Sequence, residues 1–190
     1  VHVHQCHFRR NRMRPSSVVF AVSAAVVVGG CAAAPLGAPT VPAELQPPAG
    51  ETVFLEALAS GVQIYECASK SDDKSRYEWV FRAPEATLVD RAGRDLGTHY
   101  AGPTWKSKDG SSVVGVVQAR DPGPSASAIP WLLLRAKSTA GSGILGGATY
   151  IQRVDTVGGA TPSATCDAAN ATQIARIPYT ATYYFYRSAP

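Results

Sequence analysis

His99 is the residue in the body of this chain whose side chain offers the most chemistry. The other three of the four histidines are His2, His4 and His7. An imidazole changes charge near neutral pH and often serves as the general base of a hydrolase. A serine such as Ser107, Ser111 or Ser112 and a carboxylate such as Asp109 would complete a catalytic set. The sequence holds no Gly-x-Ser-x-Gly elbow, so we assign no catalytic residue and keep His99 as a candidate.

Aromatic and polar side chains near His99 and later in the chain indicate a second kind of site, one that binds without catalysis. Tyr100 and Trp105 accompany His99 in a Gly- and Pro-rich segment, and such loops often carry function. The pair Gln152-Arg153 would suit a ligand carboxylate, although Arg153 could equally face solvent. The predicted ligand-binding residues are His99, Tyr100, Trp105, Trp131, Gln152 and Arg153. Because alternate residues of a strand face inward, most of the aromatic residues also suit a β core.

Neither a metal nor an organic cofactor is expected. A single histidine outside the N-terminus excludes a zinc or copper site built on several imidazoles, and no loop has the spacing of a calcium site. Residues 141–146 match the G-x-G-x-x-G pattern of dinucleotide-binding loops, which requires a helix after the glycines. A strand-like run, Ala148–Val154, follows instead. We therefore predict a hairpin connection there and no nicotinamide cofactor.

Residues 1–30 have the features of an export signal. Arg9, Arg10, Arg12 and Arg14 provide a basic start, and the apolar run Val18–Val28 follows, which is too short to span a bilayer. The tetrad Val28-Gly29-Gly30-Cys31 resembles the lipobox of bacterial lipoproteins, in which the cysteine carries a diacylglyceryl group. Cys31 is therefore the predicted lipidation site, with palmitate among the expected acyl chains. The alternative is an ordinary secretory signal with an incidental cysteine.

The lipobox leads to a predicted location for the protein. An N-terminal lipid makes a bacterial membrane the expected partner, and the absence of Asp after Cys31 favours the outer membrane facing the periplasm, by resemblance to enterobacterial lipoproteins. Met13-Arg14 would begin a normal signal, so residues 1–12 could be an upstream start-site artefact. Residues 31–50 are predicted to be the lipidated cysteine and a Pro- and Ala-rich tether, and residues 51–190 the folded domain.

The charge of the chain is concentrated in this leader. Four of the 18 basic residues precede Cys31, so 14 remain against 14 acidic residues. A nucleic-acid-binding domain keeps its basic excess on the folded part of the chain. We therefore expect no nucleic-acid partner.

Two cysteines remain after residue 31, Cys67 and Cys166. In an oxidising compartment such a pair is most simply a disulfide. The alternatives are buried free thiols or a redox pair, although no Cys-x-x-Cys spacing supports the latter. We predict a structural disulfide between them.

The domain that follows the tether has the pattern of an all-β protein. Short runs rich in Val, Ile, Tyr, Trp and Thr alternate with Gly, Asp, Pro and Ser clusters, of which Asp109-Gly110 suits a tight hairpin. The pattern predicts a single sandwich or barrel-like domain of about six to nine antiparallel strands. Short helices are possible at Val53–Leu58 and Asp167–Ile174.

Several blocks of this domain resemble one known family. They are Gly61–Cys67, Ala83–Ala86, Gly97–Trp105, Ile129–Leu134, Ile151–Val154 and Pro178–Tyr186. In order and type they are similar to the bacterial branch of the domain of unknown function 3455, over about Leu45 to Arg187. The resemblance implies secreted or lipid-anchored proteins, and it brings no catalytic residue or substrate with it.

Taken together, these features predict an exported envelope lipoprotein that is more simply a binding module than an enzyme. Its ligand would be a small molecule, a glycan or a protein partner. The alternative is a secreted hydrolase using His99, and a third possibility is a structural surface protein.

Overall fold

The computed structural model describes residues 36–189. The predicted signal, the lipobox and Cys31 lie outside the described residues. Within them there are eight strands and two short 3-10 turns, Ala43–Leu45 and Ala168–Asn170. The strands are β1 (Glu51–Ser69), β2 (Tyr77–Val89), β3 (Asp95–Tyr100), β4 (Thr104–Ser107), β5 (Ser112–Asp121), β6 (Trp131–Ala140), β7 (Tyr150–Gly158) and β8 (Ile174–Ser188).

Each strand pairs antiparallel with the next one along the chain, and β8 pairs with β1. The sheet therefore closes on itself as an eight-stranded barrel. This confirms the all-β prediction and decides between its two architectures in favour of the barrel. An interior of this size is filled by side chains or holds one small ligand.

The alternation of the first and last strands explains how the barrel is filled. On β1, Ala57, Ala59 and Gln63 are buried, and on β8 so are Tyr179 and Tyr183, whereas the residues between most of them are more exposed. Successive side chains of a strand point to opposite faces, so these residues share the inner face. Ala57 pairs with Tyr183 and Gly61 pairs with Tyr179, so small residues on β1 leave room for large aromatic side chains of β8.

The short helix considered possible at Val53–Leu58 does not form, because this stretch belongs to the first part of β1. Val53 pairs with Tyr186 of β8, and Leu58 pairs with both Thr182 and Val89. Long-range pairing on both edges thus overrides local preference. At the second predicted position a short 3-10 turn does occur, capped by the Asp167 carboxylate, which accepts from Ala169 N–H at 2.9 Å.

Part of the segment expected to be a tether packs on the outside of the barrel. Leu45 is fully buried next to β5 and β6, and its carbonyl accepts a 2.6 Å hydrogen bond from Gln152 Nε2. The Tyr186 hydroxyl donates to the other end of the same amide. The chain is therefore part of the folded domain from about Leu45 onward. The many prolines of this segment had instead indicated an extended tether as far as residue 50.

The predicted disulfide is confirmed. Cys67 near the end of β1 is joined to Cys166 in the loop before β8, with a sequence separation of 99 residues. Closing a loop of about 100 residues stabilises a fold by about 4.7 kcal/mol in the chain-entropy model. The bond fixes the long loop between β7 and β8 to the end of β1.

One end of the barrel, here called the mouth, gathers the loops that follow β1, β3, β5 and β7. The other end holds the loops that follow β2, β4 and β6. Among residues 36–189, no helix is long and apolar enough to cross a membrane.

Candidate functional site

A cavity of about 330 Å³ opens at the mouth. We call it the mouth cavity and define it by Tyr65, Trp79, Phe81, Val117, Arg120 and Arg153, which contribute to its wall. They come from β1, β2, β5 and β7. Ligand sites in proteins commonly have volumes of about 300–1,000 Å³ and largely apolar walls. The size and lining of the mouth cavity meet both conditions.

Aromatic rings form one wall of the mouth cavity. The ring of Tyr65 meets that of Phe81 edge to face, with 5.7 Å between centroids. Tyr65 is held by its hydroxyl, which donates to the Gly159 carbonyl at 2.7 Å, and the Trp79 indole N–H donates to the Ala164 carbonyl at 2.8 Å. Phe81 is nevertheless 49% exposed. The exposed part of this ring is available to an apolar group of a molecule in the cavity.

Two guanidinium groups supply the charge of the cavity. Arg153 is fixed in place because its Nε and Nη2 atoms both donate to the Pro130 carbonyl, at 3.0 and 2.8 Å. Arg120 is exposed at the rim. The lining contains no acidic residue, and neither arginine forms an ion pair with any of residues 36–189. The mouth cavity is therefore positively charged.

A group of buried polar side chains lies in the barrel interior near Arg153, and we call Gln63, Trp105, Tyr179 and Tyr183 the inner donor cluster. All four residues are at most 3% exposed. Gln63 Nε2, Trp105 Nε1 and the hydroxyls of Tyr179 and Tyr183 have no hydrogen-bond partner of normal geometry within the described chain. Such groups are rare in folded proteins because each costs the free energy of its desolvation.

The inner donor cluster is connected to the mouth cavity by Arg153. Burial raises the pKa of both the Tyr179 and the Tyr183 phenol, so both stay neutral near pH 7, and the nearby positive charge of Arg153 partly opposes that rise. Arg153 pairs with Tyr183 across β7 and β8, and paired residues share a face of the sheet. The arginine thus lines the cavity on one side and approaches the tyrosine hydroxyls on the other.

His99 is buried inside the barrel, only 2% exposed. Its Nδ1 lies 2.9 Å from the Thr104 carbonyl oxygen, which can only accept, so Nδ1 carries the proton. The ring stacks on Trp105 at 4.4 Å between centroids and meets Tyr183 edge to face at 5.1 Å. Burial, aided by the charge of Arg153, lowers the pKa of His99 to about 3. The imidazole is therefore neutral at physiological pH.

The serines and the carboxylate considered for a catalytic set with His99 lie elsewhere. Ser107, Asp109, Ser111 and Ser112 are at or beside the β4–β5 turn, away from the mouth. Asp109 accepts from the Ser111 hydroxyl at 2.6 Å and from the Ile144 amide at 2.7 Å, which lowers its pKa to about 2. No hydrogen bond in the described residues joins any of these groups to His99. These hydrogen bonds stabilise the β4–β5 turn, and none of them activates a serine as a nucleophile.

The structure divides the six residues of the predicted binding set. His99, Trp105 and Arg153 face the interior and form one connected group. Tyr100 is 41% exposed on the outer face, and Gln152 is buried on the outer face under Leu45. Trp131 is half-buried at the start of β6. The binding set is therefore not one surface.

Several residues of the site were missed from the sequence. They are Gln63, Tyr65, Trp79, Phe81, Arg120, Tyr179 and Tyr183. The available signal was the alternation itself: Gln63 occupies an inward position of β1, between Gly61 and Tyr65. A polar residue at such a position indicates a hydrogen-bonding need inside the core.

No metal or dinucleotide site is seen in the described chain. Residues 36–189 contain no group of three or more His, Cys, Asp or Glu side chains that could hold a metal ion. Residues 141–146 lie in the loop between β6 and β7, and a strand follows them as the sequence indicated. The loop lacks the helix whose N-terminus would face a pyrophosphate.

Comparison with known proteins gives a family. No curated protein and no solved structure matches the chain. The family model described as "Protein of unknown function (DUF3455)" matches residues 48–187, which span all eight strands except the last residue of β8. With most of its length covered by that model, the chain belongs to the DUF3455 family.

Proposed function

We propose that this protein is a non-catalytic binding module that takes a small molecule into the mouth cavity. The observation that carries the proposal is the cavity itself: a concave, aromatic-walled space with two arginines and no acidic residue, above buried polar groups that lack partners. Convergent polar groups in an apolar concavity are the usual mark of a ligand site. The cavity is too small for a folded protein partner to enter.

The module is proposed to work in the bacterial cell envelope, held there by a lipid on Cys31. This part rests on the N-terminal sequence, with its basic start, apolar run and lipobox. The disulfide supports it, because such bonds persist in oxidising compartments outside the cytoplasm.

The alternative of a hydrolase using His99 is not favoured. Because Nδ1 of His99 donates to the Thr104 carbonyl, Nε2 is the nitrogen that would act as a base, and a base must lie within hydrogen-bond reach of the proton it removes. The ring is enclosed by Trp105 and Tyr183, and no serine hydroxyl is hydrogen-bonded to it in the described chain.

A matched pair of valines tests the proposed site. Val117 lines the mouth cavity, whereas its neighbour Val116 points outward and is 37% exposed. Val117→Phe should fill the cavity, and Val116→Phe should leave it open. We expect a panel of small organic fragments to shift the NMR signals of mouth residues, above all the Trp79 indole N–H, in the wild type and in Val116→Phe.

In Val117→Phe these shifts should be lost while the fold, followed by amide chemical shifts on β8, is retained. Fragment shifts that survive equally in both variants, or that map to the far end of the barrel, would place the binding site elsewhere.

A further inference from the structure

We infer that the ligand of the mouth cavity is a small organic carboxylate with an aromatic or other apolar body. The inference rests on the proposed function and adds the chemical class of the ligand. The charges and rings that line the cavity support it, together with the buried polar groups beside Arg153 in the barrel interior.

The buried groups without partners are all able to donate. Gln63 Nε2 and Trp105 Nε1 are donors only, and the Tyr179 and Tyr183 hydroxyls are neutral phenols that can donate. The two tyrosine hydroxyls can also accept, and so can His99 Nε2, because the His99 proton is on Nδ1. Gln63 Nε2 and Trp105 Nε1 can only donate, so a ligand group that reached them would bring oxygen lone pairs.

The positive charge of the cavity indicates that its ligand is an anion. Arg153 and Arg120 line it without a compensating carboxylate. Because Arg153 uses Nε and Nη2 for the Pro130 carbonyl, Nη1 and its protons remain available toward the cavity and the tyrosines. An anchored guanidinium of this kind recognises a carboxylate through short, charge-assisted hydrogen bonds.

The remaining wall fits the apolar part of the ligand. Tyr65, Trp79 and Phe81 offer ring faces and edges, and Phe81 is half exposed without a ligand. Aromatic rings prefer stacked or edge-to-face partners, which an aromatic or cyclic apolar body supplies. An inorganic anion would leave this wall uncovered, so an organic acid is the better match.

Matched acid and amide pairs test the class of ligand on the full chain. The probes are benzoate, 3-phenylpropionate and indole-3-acetate, each beside its primary amide, titrated by following the Trp79 indole N–H. We expect each acid to bind at least about tenfold more tightly than its amide, since a charge-assisted hydrogen bond is lost in the amide.

Variants assign the effect to a residue. Arg153→Gln should weaken acid binding by about tenfold or more and change amide binding little, and Arg120→Gln should have a smaller effect in the same direction. Arg135→Gln serves as the control, because Arg135 is exposed on β6 and does not line the mouth cavity. If Arg153→Gln fails to fold, the comparison of each acid with its amide on the wild-type protein still tests whether the site prefers a carboxylate.

The outcomes separate the two proposals. Amides that bind at the mouth as tightly as the acids would overturn the carboxylate inference and leave the proposed binding site intact. If no acid binds there although other fragments do, the inference again fails and buried water is left to satisfy the donors. If nothing binds at the mouth, both proposals fail.

Discussion

At the scale of single residues, His99 shows how burial changes the role of a side chain. In the sequence it was the obvious candidate for acid-base chemistry, because it is the only histidine after the first seven residues. Inside the barrel it stacks on Trp105 and donates to a backbone carbonyl, and its pKa falls to about 3. A neutral, enclosed imidazole is a packing and hydrogen-bonding element.

The lowered pKa of His99 predicts a specific dependence of stability on pH. Between pH 6.5 and about 3, the unfolded chain binds a proton at His99 that the folded chain does not. Unfolding therefore takes up a proton, and the free energy of unfolding should fall on acidification below pH 6.5 by up to about 1.4 kcal/mol per pH unit.

The measurement is urea unfolding between pH 6.5 and 5, where most carboxylates remain ionised. In His99→Asn, whose amide can still donate to the Thr104 carbonyl, the slope with pH should be smaller than in the wild type. Equal slopes in the two proteins would show that His99 titrates alike in the folded and unfolded chain.

At the scale of the elements, the long strands were readable from the sequence and the short ones were not. Residues 77–82 alternate between aromatic and mostly polar residues and lie in β2, and the Asp109-Gly110 turn, predicted as a tight hairpin, joins β4 to β5. β3 and β4 are too brief for alternation to be visible, and they carry His99 and Trp105.

The phase of a strand was equally hard to predict. Gln152 and Arg153 looked like one polar pair, but the sheet sends their side chains to opposite faces. Which one faces inward depends on pairing with β8. Two adjacent polar residues do not indicate by themselves which one faces the interior. The inward position of Arg153 in the candidate site therefore could not be predicted from the sequence.

The close approach of β1 and β2 yields a test at this scale. A Cβ atom added to Gly61 would lie 2.5 Å from Cα of Ala86 and would also meet the Glu85 carbonyl. Gly61→Ala should therefore lower the free energy of unfolding by about 1–3 kcal/mol, the range found for overpacked cores.

Gly147→Ala is the matched control, because nothing lies within 4 Å of the added atom there. It should change stability by no more than about 0.5 kcal/mol. Urea unfolding of both variants gives the comparison, and a Gly61→Ala protein as stable as the control would mean that the two strands can separate at little cost.

At the scale of the whole molecule, the proposed anchor and the barrel are separate parts with separate tests. Cys31→Ser should move the protein from the membrane fraction to the soluble fraction and abolish the uptake of labelled palmitate, since each buried methylene of an acyl chain contributes about 0.8 kcal/mol to attachment. Ala33→Ser, two residues later, should change neither. A Cys31→Ser protein that stays with the membranes would refute attachment through a lipid on this cysteine.

The pairing of β1 with β8 closes the barrel, and it is expected to form late in folding. These strands are the first and last along the chain, and they pair from Glu51–Ser188 to Glu66–Ile174. Contacts between residues so distant in sequence form slowly, because a long loop must be ordered first. Until β8 arrives, a nascent chain presents one edge of β1 with unsatisfied amides and carbonyls, a template for pairing with another copy. Loss of about the last dozen residues would leave much of that edge open, so C-terminal truncation should make the protein prone to aggregate.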